Sequence, residues 1–366
     1  MKGQRIIFVL GNLELGGAER QALLLARHLS RAEQATVEVW GFNKSGPVAD
    51  ICEQHDIRWR VEPLNANRLE SIRRVAWLLR AAGPDVLLPY TWLPNVVCGF
   101  VWQWVGARLC VWNQRDEGLF VPRTAWQRWA VQRTPRFIAN SQGGARFLIE
   151  KLNVEPARVR IVSNGIEGSQ AQLNARAWRE RLEIDRASFV ACMVANLHTN
   201  KDHPTLLRAW RLVMKELEAR GRNAVLVLAG RRDGAFESLA ALTEELGINR
   251  GVRFTGAVND VAGLLSAADV GVFSSRSEGC PNGVLECMAA GLPVTATNID
   301  AVREVLGPAS LDLLAPMADT AALSGIILKL ASDPALCAQV GEINKKRISE
   351  HYTAQRMCEE FVINLR

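Results

Sequence analysis

The sequence predicts an α/β protein built from two Rossmann-like, doubly wound domains that face a central cleft. Three observations predict it. The chain has 366 residues and a mass of 40.4 kDa, and at roughly 100–200 residues per domain that length suits two domains. Short β-branched apolar runs alternate with helical patterns from end to end, the pattern of parallel sheets with helices on both faces. The alternation is stated twice, in halves of different chemistry. Residues 1–165 hold 22 Lys and Arg against 14 Asp and Glu, a net +8, whereas residues 166–366 hold 22 against 24, a net −2. Nine of the 11 tryptophans also lie in the first half.

In the first half strands read at Arg5–Leu10, Val37–Phe42, Arg58–Val61, Asp85–Tyr90, Arg108–Trp112, Arg136–Ala139 and Val159–Val162, with helical patterns between them such as Ala18–Ser30 and Leu69–Ala82. In the second half strands read at Phe189–Val194, Ala224–Ala229, Val252–Phe254, Val270–Phe273 and Pro293–Ala296. Helices read there at His203–Ala219, Phe236–Leu246, Asp260–Ala267, Gly283–Ala290 and Thr320–Ala331. The stretch Gly165–Ser188 is polar and has no clean strand, so the hinge is expected there. This sets the domains at 1–165 and 166–351, with a C-terminal helix at about 352–366 packing back on the first. Ligands bind at the carboxyl ends of such sheets.

Composition narrows the class. At 48% hydrophobic and 22% charged, the chain can bury a large core without staples, which argues against disorder. The eight cysteines form no C-x-x-C, no His pair stands at zinc spacing, and most of the thiols lie in apolar runs. They read as buried free cysteines of a reducing, cytoplasmic compartment. Ile6–Leu10 is too short for the core of a signal peptide. Trp92–Trp112 is the most apolar long stretch, but Pro94, Asn95, Gln103 and Arg108 interrupt it, so it reads as a buried helix and a strand rather than a span.

The most informative segment runs from Ser274 to Val294, SSRSEGCPNGVLECMAAGLPV. It leaves a buried strand, turns at Gly279, opens a helix near Gly283 with Asn282 as N-cap, and closes it at Gly291. A helix N-terminus at a strand's carboxyl end offers amides to phosphate, here from Gly279, Asn282, Gly283 and Val284. Glu278 lies before the helix and Glu286 one turn inside it. Two carboxylates flanking an anion site suit a ligand with hydroxyls on both sides of a diphosphate: Glu286 for a ribose diol, Glu278 for a second polyol.

With these residues in place, the E-x7-E element, S-E-G-x-P-x-x-x-x-E followed by M-A-A-G-x-P-V, resembles the signature of the retaining family 4 glycosyltransferases of GT-B architecture. The resemblance extends over essentially the whole chain. Leu15-Gly16-Gly17-Ala18-Glu19-Arg20 is similar to the family's N-terminal glycine loop, Asn140-Ser141 to its N-S element, and Ser163–Ile166 to its N-G-I/V-D element, with Glu167 for Asp. Val194–Pro204 is similar to its donor-phosphate loop. The resemblance implies a nucleoside diphosphate sugar as donor, with no separate cofactor. Lys201 would neutralise the diphosphate as the bond breaks, Glu278 hold the sugar and Glu286 the ribose. Asn196 and His198 lie in the donor loop. Gly16 and Gly17 would present amides to the donor diphosphate or the acceptor hydroxyl.

Two departures stand out. Where the family commonly has the Arg of V-G-R-L, this chain has Asn196, which cannot supply a second cation; Arg231, Arg232 and Arg276 are the candidates to compensate. Where many members carry a His after a middle strand, this chain reads Val111–Asp116, with Arg115 and Asp116 as the nearest polar groups. These two read equally as an acceptor-side pair, Arg115 catalytic, and as a loop ion pair. No D-x-D occurs, which agrees with a metal-independent enzyme.

The function expected is transfer of a sugar to a glycan, lipid-linked or small-molecule acceptor in cell-surface polysaccharide or glycolipid assembly. The alternative is a catalytically idle sugar-nucleotide or glycan binder on the same fold. The Trp- and Arg-bearing stretch Val121–Arg133 reads either as an interfacial helix on an anionic membrane, making the protein peripheral on the cytoplasmic face, or as a packed helix with Trp inward and Arg outward. No nucleic-acid motif accompanies the basic half, so no nucleic-acid partner is expected.

Overall fold

A computed structural model describes residues 1–64, 67–118, 124–168 and 170–366, the side chain of residue 68 excepted. The chain divides into unit 1, Met1–Gly165 with Ala354–Arg366, and unit 2, Ile166–Thr353.

Unit 1 runs β1 (Arg5–Leu10), α1 (Gly17–Arg31), β2 (Thr36–Gly41), α2 (Pro47–Gln54), β3 (Arg58–Val61), α3 (Arg68–Ala82), β4 (Val86–Pro89), α4 (Trp92–Val105), β5 (Leu109–Gln114), α5 (Ala125–Arg133), β6 (Arg136–Ala139), α6 (Gln142–Arg146) and β7 (Val159–Ile161). Its sheet is parallel, in the order β3-β2-β1-β4-β5-β6-β7. Side chains of a strand alternate between its two faces. In β1, Ile6, Phe8 and Leu10 enter one core with α1, while Ile7 and Val9 enter the other with α3 and α4. Burial on both faces is why these strands read as unbroken apolar runs.

Unit 2 runs α7 (Ala175–Arg181), β8 (Phe189–Val194), α8 (His203–Ala219), β9 (Ala224–Ala229), α9 (Phe236–Glu245), β10 (Val252–Gly256), α10 (Val261–Ser266), β11 (Val270–Phe273), α11 (Asn282–Ala289), β12 (Val294–Thr297), α12 (Asp300–Leu306), β13 (Leu314–Ala315), α13 (Thr320–Ser332) and α14 (Pro334–His351). The parallel order is β10-β9-β8-β11-β12-β13. The polar stretch expected as a hinge contains α7, which belongs to unit 2. Asp260 holds it there, accepting from Trp178 Nε1 at 2.9 Å and from the amides of Gln172 and Leu173 at 3.0 Å. Desolvation opposes the charge on Asp260, but these bonds and one from Gly263 N keep its carboxyl below the usual range.

The chain then returns to unit 1 as α15 (Ala354–Leu365), whose Met357, Cys358, Phe361, Val362 and Leu365 complete the core beside α1. Arg108 Nη2 donates to Leu365 O at 3.2 Å and Arg136 to Asn364 O, so two guanidiniums meet the negative end of that helix. Among the described residues no single helix is long and apolar enough to cross a membrane.

Candidate functional site

In a doubly wound sheet the strand order reverses at one place, and the loops that leave the two strands there open a crevice. In unit 2 the reversal falls between β8 and β11. The loop after β8 carries Asn196, His198 and Lys201; the loop after β11 carries Glu278.

These loops are zipped together. Lys201 bridges Ser275 as an isolated antiparallel pair. Asp202 N donates to Ser274 O at 3.0 Å, and Arg276 N to Asn200 O at 3.3 Å. The pairing sets Lys201 Nζ on Glu278 Oε1, and Ser275 Oγ donates to the same oxygen at 2.6 Å. Lys201 is 15% exposed and Glu278 12%. Desolvation costs both charges, and the direct contact with its added hydroxyl bond offsets that cost. An anionic ligand can replace Glu278 as partner of Lys201, leaving Ser275 on the carboxylate. Nothing in the local sequence singles out Ser275, because its role depends on this loop pairing.

Two glycines bring backbones close around the crevice. A Cβ on Gly283 would lie 2.0 Å from Val194 O, so the N-terminus of α11 presses against the end of β8. A Cβ on Gly230 would lie 2.1 Å from Ala195 O, which sets the loop after β9 beside the donor loop. One expectation is corrected here. Pro281, not Asn282, is the N-cap, with no side-chain cap bond, and Asn282 is the first helical residue. Val284 is fully buried, and its amide lies in the first turn of α11, donating to Pro281 O at 3.1 Å. Gly279 is buried in the turn, and Glu286 is half-buried one turn into the helix.

The other donor-loop residues hold the loop's shape. Asn196 Oδ1 accepts from Arg231 N at 3.0 Å, and His198 Nδ1 lies 2.8 Å from Asn200 Oδ1. Of the candidate substitute cations, Arg231 pairs with Asp233 at 3.1 Å, Arg232 lies 4.4 Å over the Phe236 ring, and Arg276 is exposed on the loop that bears Glu278. His203 opens α8 in the interior. Neither ring nitrogen has a hydrogen-bond partner among the described residues. Burial, then the Lys201 charge, lowers its pKa to about 4, so the ring is neutral near pH 7.

In unit 1 the reversal falls between β1 and β4. Gly16 is the N-cap of α1, without a side-chain cap bond, and Gly17 its first helical residue. Thr91, after β4, has φ +69° and ψ 172°, a conformation a β-branched residue rarely adopts. Arg115 follows β5. Its Nη2 donates to Asn164 Oδ1 at 2.6 Å, and its guanidinium lies 5.3 Å over the Tyr90 ring. Asn140 Nδ2 lies 3.4 Å from the same Asn164 oxygen. The ends of β4, β5, β6 and β7 therefore meet in one cluster. Inside it the Tyr90 hydroxyl is fully buried, with no hydrogen-bond partner among the described residues. Gln21, one turn after Gly17, clamps Gly165 by accepting from its N at 2.9 Å and donating to its O at 3.0 Å. Asp116 is not the ion-pair partner of Arg115. Its carboxylate accepts from Gln114 Nε2 at 2.8 Å and Gly118 N at 2.7 Å, and desolvation by the groups packed around it raises its pKa although the residue is exposed.

Comparison with known proteins places the family and the fold. Two family models match, "Glycosyl transferases group 1" over residues 188–333 and "Glycosyltransferase Family 4" over residues 15–170. The chain is 31% identical over 221 residues to EpsD of Bacillus subtilis, covering 59% of this chain and 54% of that one. It is 28% identical over 205 residues to the lipopolysaccharide core biosynthesis glycosyltransferase LpsD of Rhizobium meliloti, covering 56% of each. The matches thus span about half the length of these curated relatives. The structure of Anabaena Alr3699/HepE in complex with UDP-glucose superposes with a TM-score of 0.86 at 19% identity, over 99% of both chains. With both domains matched in order and the fold matched throughout, the chain belongs to the group 1, family 4 glycosyltransferases and has their GT-B fold.

Proposed function

We propose that this protein moves a sugar from a nucleoside diphosphate sugar to a glycan or lipid-linked acceptor, with retention of configuration, in cell-surface polysaccharide or glycolipid assembly. The observation that carries this reading is the Lys201–Glu278 pair at the β8/β11 reversal. Lys201 passes to the diphosphate when the donor enters, Glu278 turns to the sugar hydroxyls, and Glu286 holds the ribose. The bond from the anomeric carbon to the diphosphate oxygen breaks as the acceptor oxygen attacks from the same face. The acceptor's proton goes to the departing phosphate oxygen, whose charge Lys201 offsets. Arg115, with Gly16 and Gly17, serves the acceptor side. The UDP-glucose complex of HepE makes UDP-glucose the first donor to try.

A membrane role for the basic half is supported by α5. Val121, Pro122 and Arg123 lie outside the described residues. In the helix itself Trp126 is 50% exposed and Trp129 38%. The tryptophans thus face outward together with Arg128 and Arg133, not inward. Helices α3, α4 and α5 hold six arginines and one acid, Glu70, a balance that suits the cytoplasmic face of an anionic membrane.

The test is a panel of UDP-, GDP- and ADP-sugars read by thermal shift and by nucleotide release. One donor should stabilise the protein and be turned over, and Glu286→Ala should raise its KM about 10–100-fold, the worth of charged hydrogen bonds to a diol. Binding without turnover on any acceptor would favour the idle binder. Unchanged donor affinity in Glu286→Ala would remove the ribose assignment.

A further inference from the structure

A second concave site lies in unit 1, far in sequence from the glycine loop. The start of β6, the start of β7 and the last turn of α15 enclose a cavity of about 340 Å³, lined by Arg136, Arg158 and Arg160 with Ile363 and Asn364 at its edge. No carboxylate lines it, and none of the three arginines has an ion-pair partner among the described residues. All three are anchored on backbone carbonyls. Arg136 donates to Asn364 O, Arg158 to Thr134 O and to Val131 O (3.2 Å), and Arg160 to Ala157 O and Val159 O, each at 2.9 Å. Arg158 also lies 5.2 Å over the Phe137 ring.

Helix capping explains part of this arrangement. The C-termini of α5 and α15 each present about half a negative charge. Three guanidiniums exceed that by about two charges, and Arg108, on Leu365 O, adds another nearby. The nearest acid on α15, Glu360, is already paired with Arg356. A cavity with surplus positive charge and donors fixed in place is suited to a phosphate, which arginine forks bind in a bidentate way.

The surroundings indicate what carries the phosphate. Arg158 reaches the carboxyl end of α5, and in the same turn Arg133 stacks at 4.3 Å on Trp129. Trp129 and Trp126 pack on Phe100 at 4.2 and 5.1 Å, and Ile363 at the cavity edge is 70% exposed. Exposed tryptophans on the helix whose carboxyl end Arg158 meets match the layering of a bilayer surface, with tryptophan at the headgroup level and phosphate against arginine. We infer that the Arg136–Arg158–Arg160 cavity binds the phosphate of an anionic lipid headgroup. This deepens the membrane part of the proposed function and does not depend on the transfer chemistry.

The test is co-sedimentation of the full chain with phosphatidylcholine vesicles, with and without phosphatidylglycerol. Binding should require phosphatidylglycerol. Inorganic phosphate should displace the protein better than chloride at equal ionic strength. Arg160→Glu reverses one cavity charge and should weaken binding by about 30-fold, at roughly fivefold per unit charge. Arg128→Glu, an equal reversal on exposed α5 outside the cavity, should weaken it less and keep the phosphate effect. Melting curves of both variants should match the parent. Equal losses in the two variants, or phosphate no better than chloride, would overturn the pocket in favour of diffuse attraction. So would binding of free phosphate with no binding to vesicles. Donor turnover without lipid, measured on the same samples, judges the transferase reading separately.

Discussion

The two strand-order reversals of this molecule are built alike and furnished differently. At β8/β11 a cation and a carboxylate sit on two loops that pair with each other, so the charges meet through backbone bonds next to them in sequence. At β1/β4 and the strand ends beside it the chemistry is one guanidinium, Arg115, placed by an asparagine 49 residues away and by an aromatic ring. The first arrangement is polarised and local, with each charge dependent on the other. In the second, an asparagine and an aromatic ring, both neutral, help to place the charge from distant parts of the sequence. Loss of a single group should therefore do more damage in unit 2.

The largest effect is expected from Lys201→Ala, which removes the diphosphate cation and leaves the half-buried Glu278 with Ser275 but without its cation. Turnover should fall about 10²–10³-fold, the scale for losing one preorganised transition-state partner, and the melting temperature should fall with it. The double variant Lys201→Met with Glu278→Gln should recover the melting temperature but not the turnover, because it removes both charges together. Turnover within a few-fold of the parent in Lys201→Ala would break the contrast between the sites.

Arg115→Ala should cost less, about 10–100-fold in turnover, with donor affinity unchanged. Arg115→Lys should not restore it, since an ammonium cannot both meet Asn164 and stack flat over Tyr90. Donor affinity is read by calorimetry with UDP-glucose and turnover by nucleotide release. A parallel fall in both would move Arg115 to the donor side.

Legibility in the sequence follows the same division. Strands buried on both faces were readable because each is an unbroken apolar run, and Arg5–Leu10, Arg136–Ala139, Phe189–Val194 and Ala224–Ala229 match the structure end to end. The helix α7 was not readable, because its short polar stretch is ordered by Asp260, more than 80 residues away. Glu278 and Glu286 stood out because one strand–loop–helix unit carries both. Ser275 and Asn164 did not, since a serine or asparagine in a loop has no distinguishing neighbour until another loop is laid beside it. The cap of α11 is misplaced in the sequence for a related reason: Pro281 takes it instead of Asn282, which shifts the start of the helix by one residue.

The smallest effect concerns acid, and here the two units should respond in opposite directions. His203 has a folded pKa of about 4, below its ordinary value near 6.5, because burial disfavours the imidazolium. Between those values the unfolded chain binds a proton that the folded chain does not. The stabilising contribution is therefore full above about pH 6.5 and is lost as the pH falls toward 4. Asp116 has the reverse sign: desolvation raises its folded pKa, so the folded state binds a proton more readily than the unfolded chain, and acidification favours the fold around β5. Hydrogen exchange at pH 7 and pH 5 should show protection falling in β8 and α8 but not in β5. His203→Leu should flatten the response of unit 2 alone, since a leucine fills the site without a titrating group. Equal protection of α8 at both pH values would mean that the imidazole reaches solvent or finds a partner.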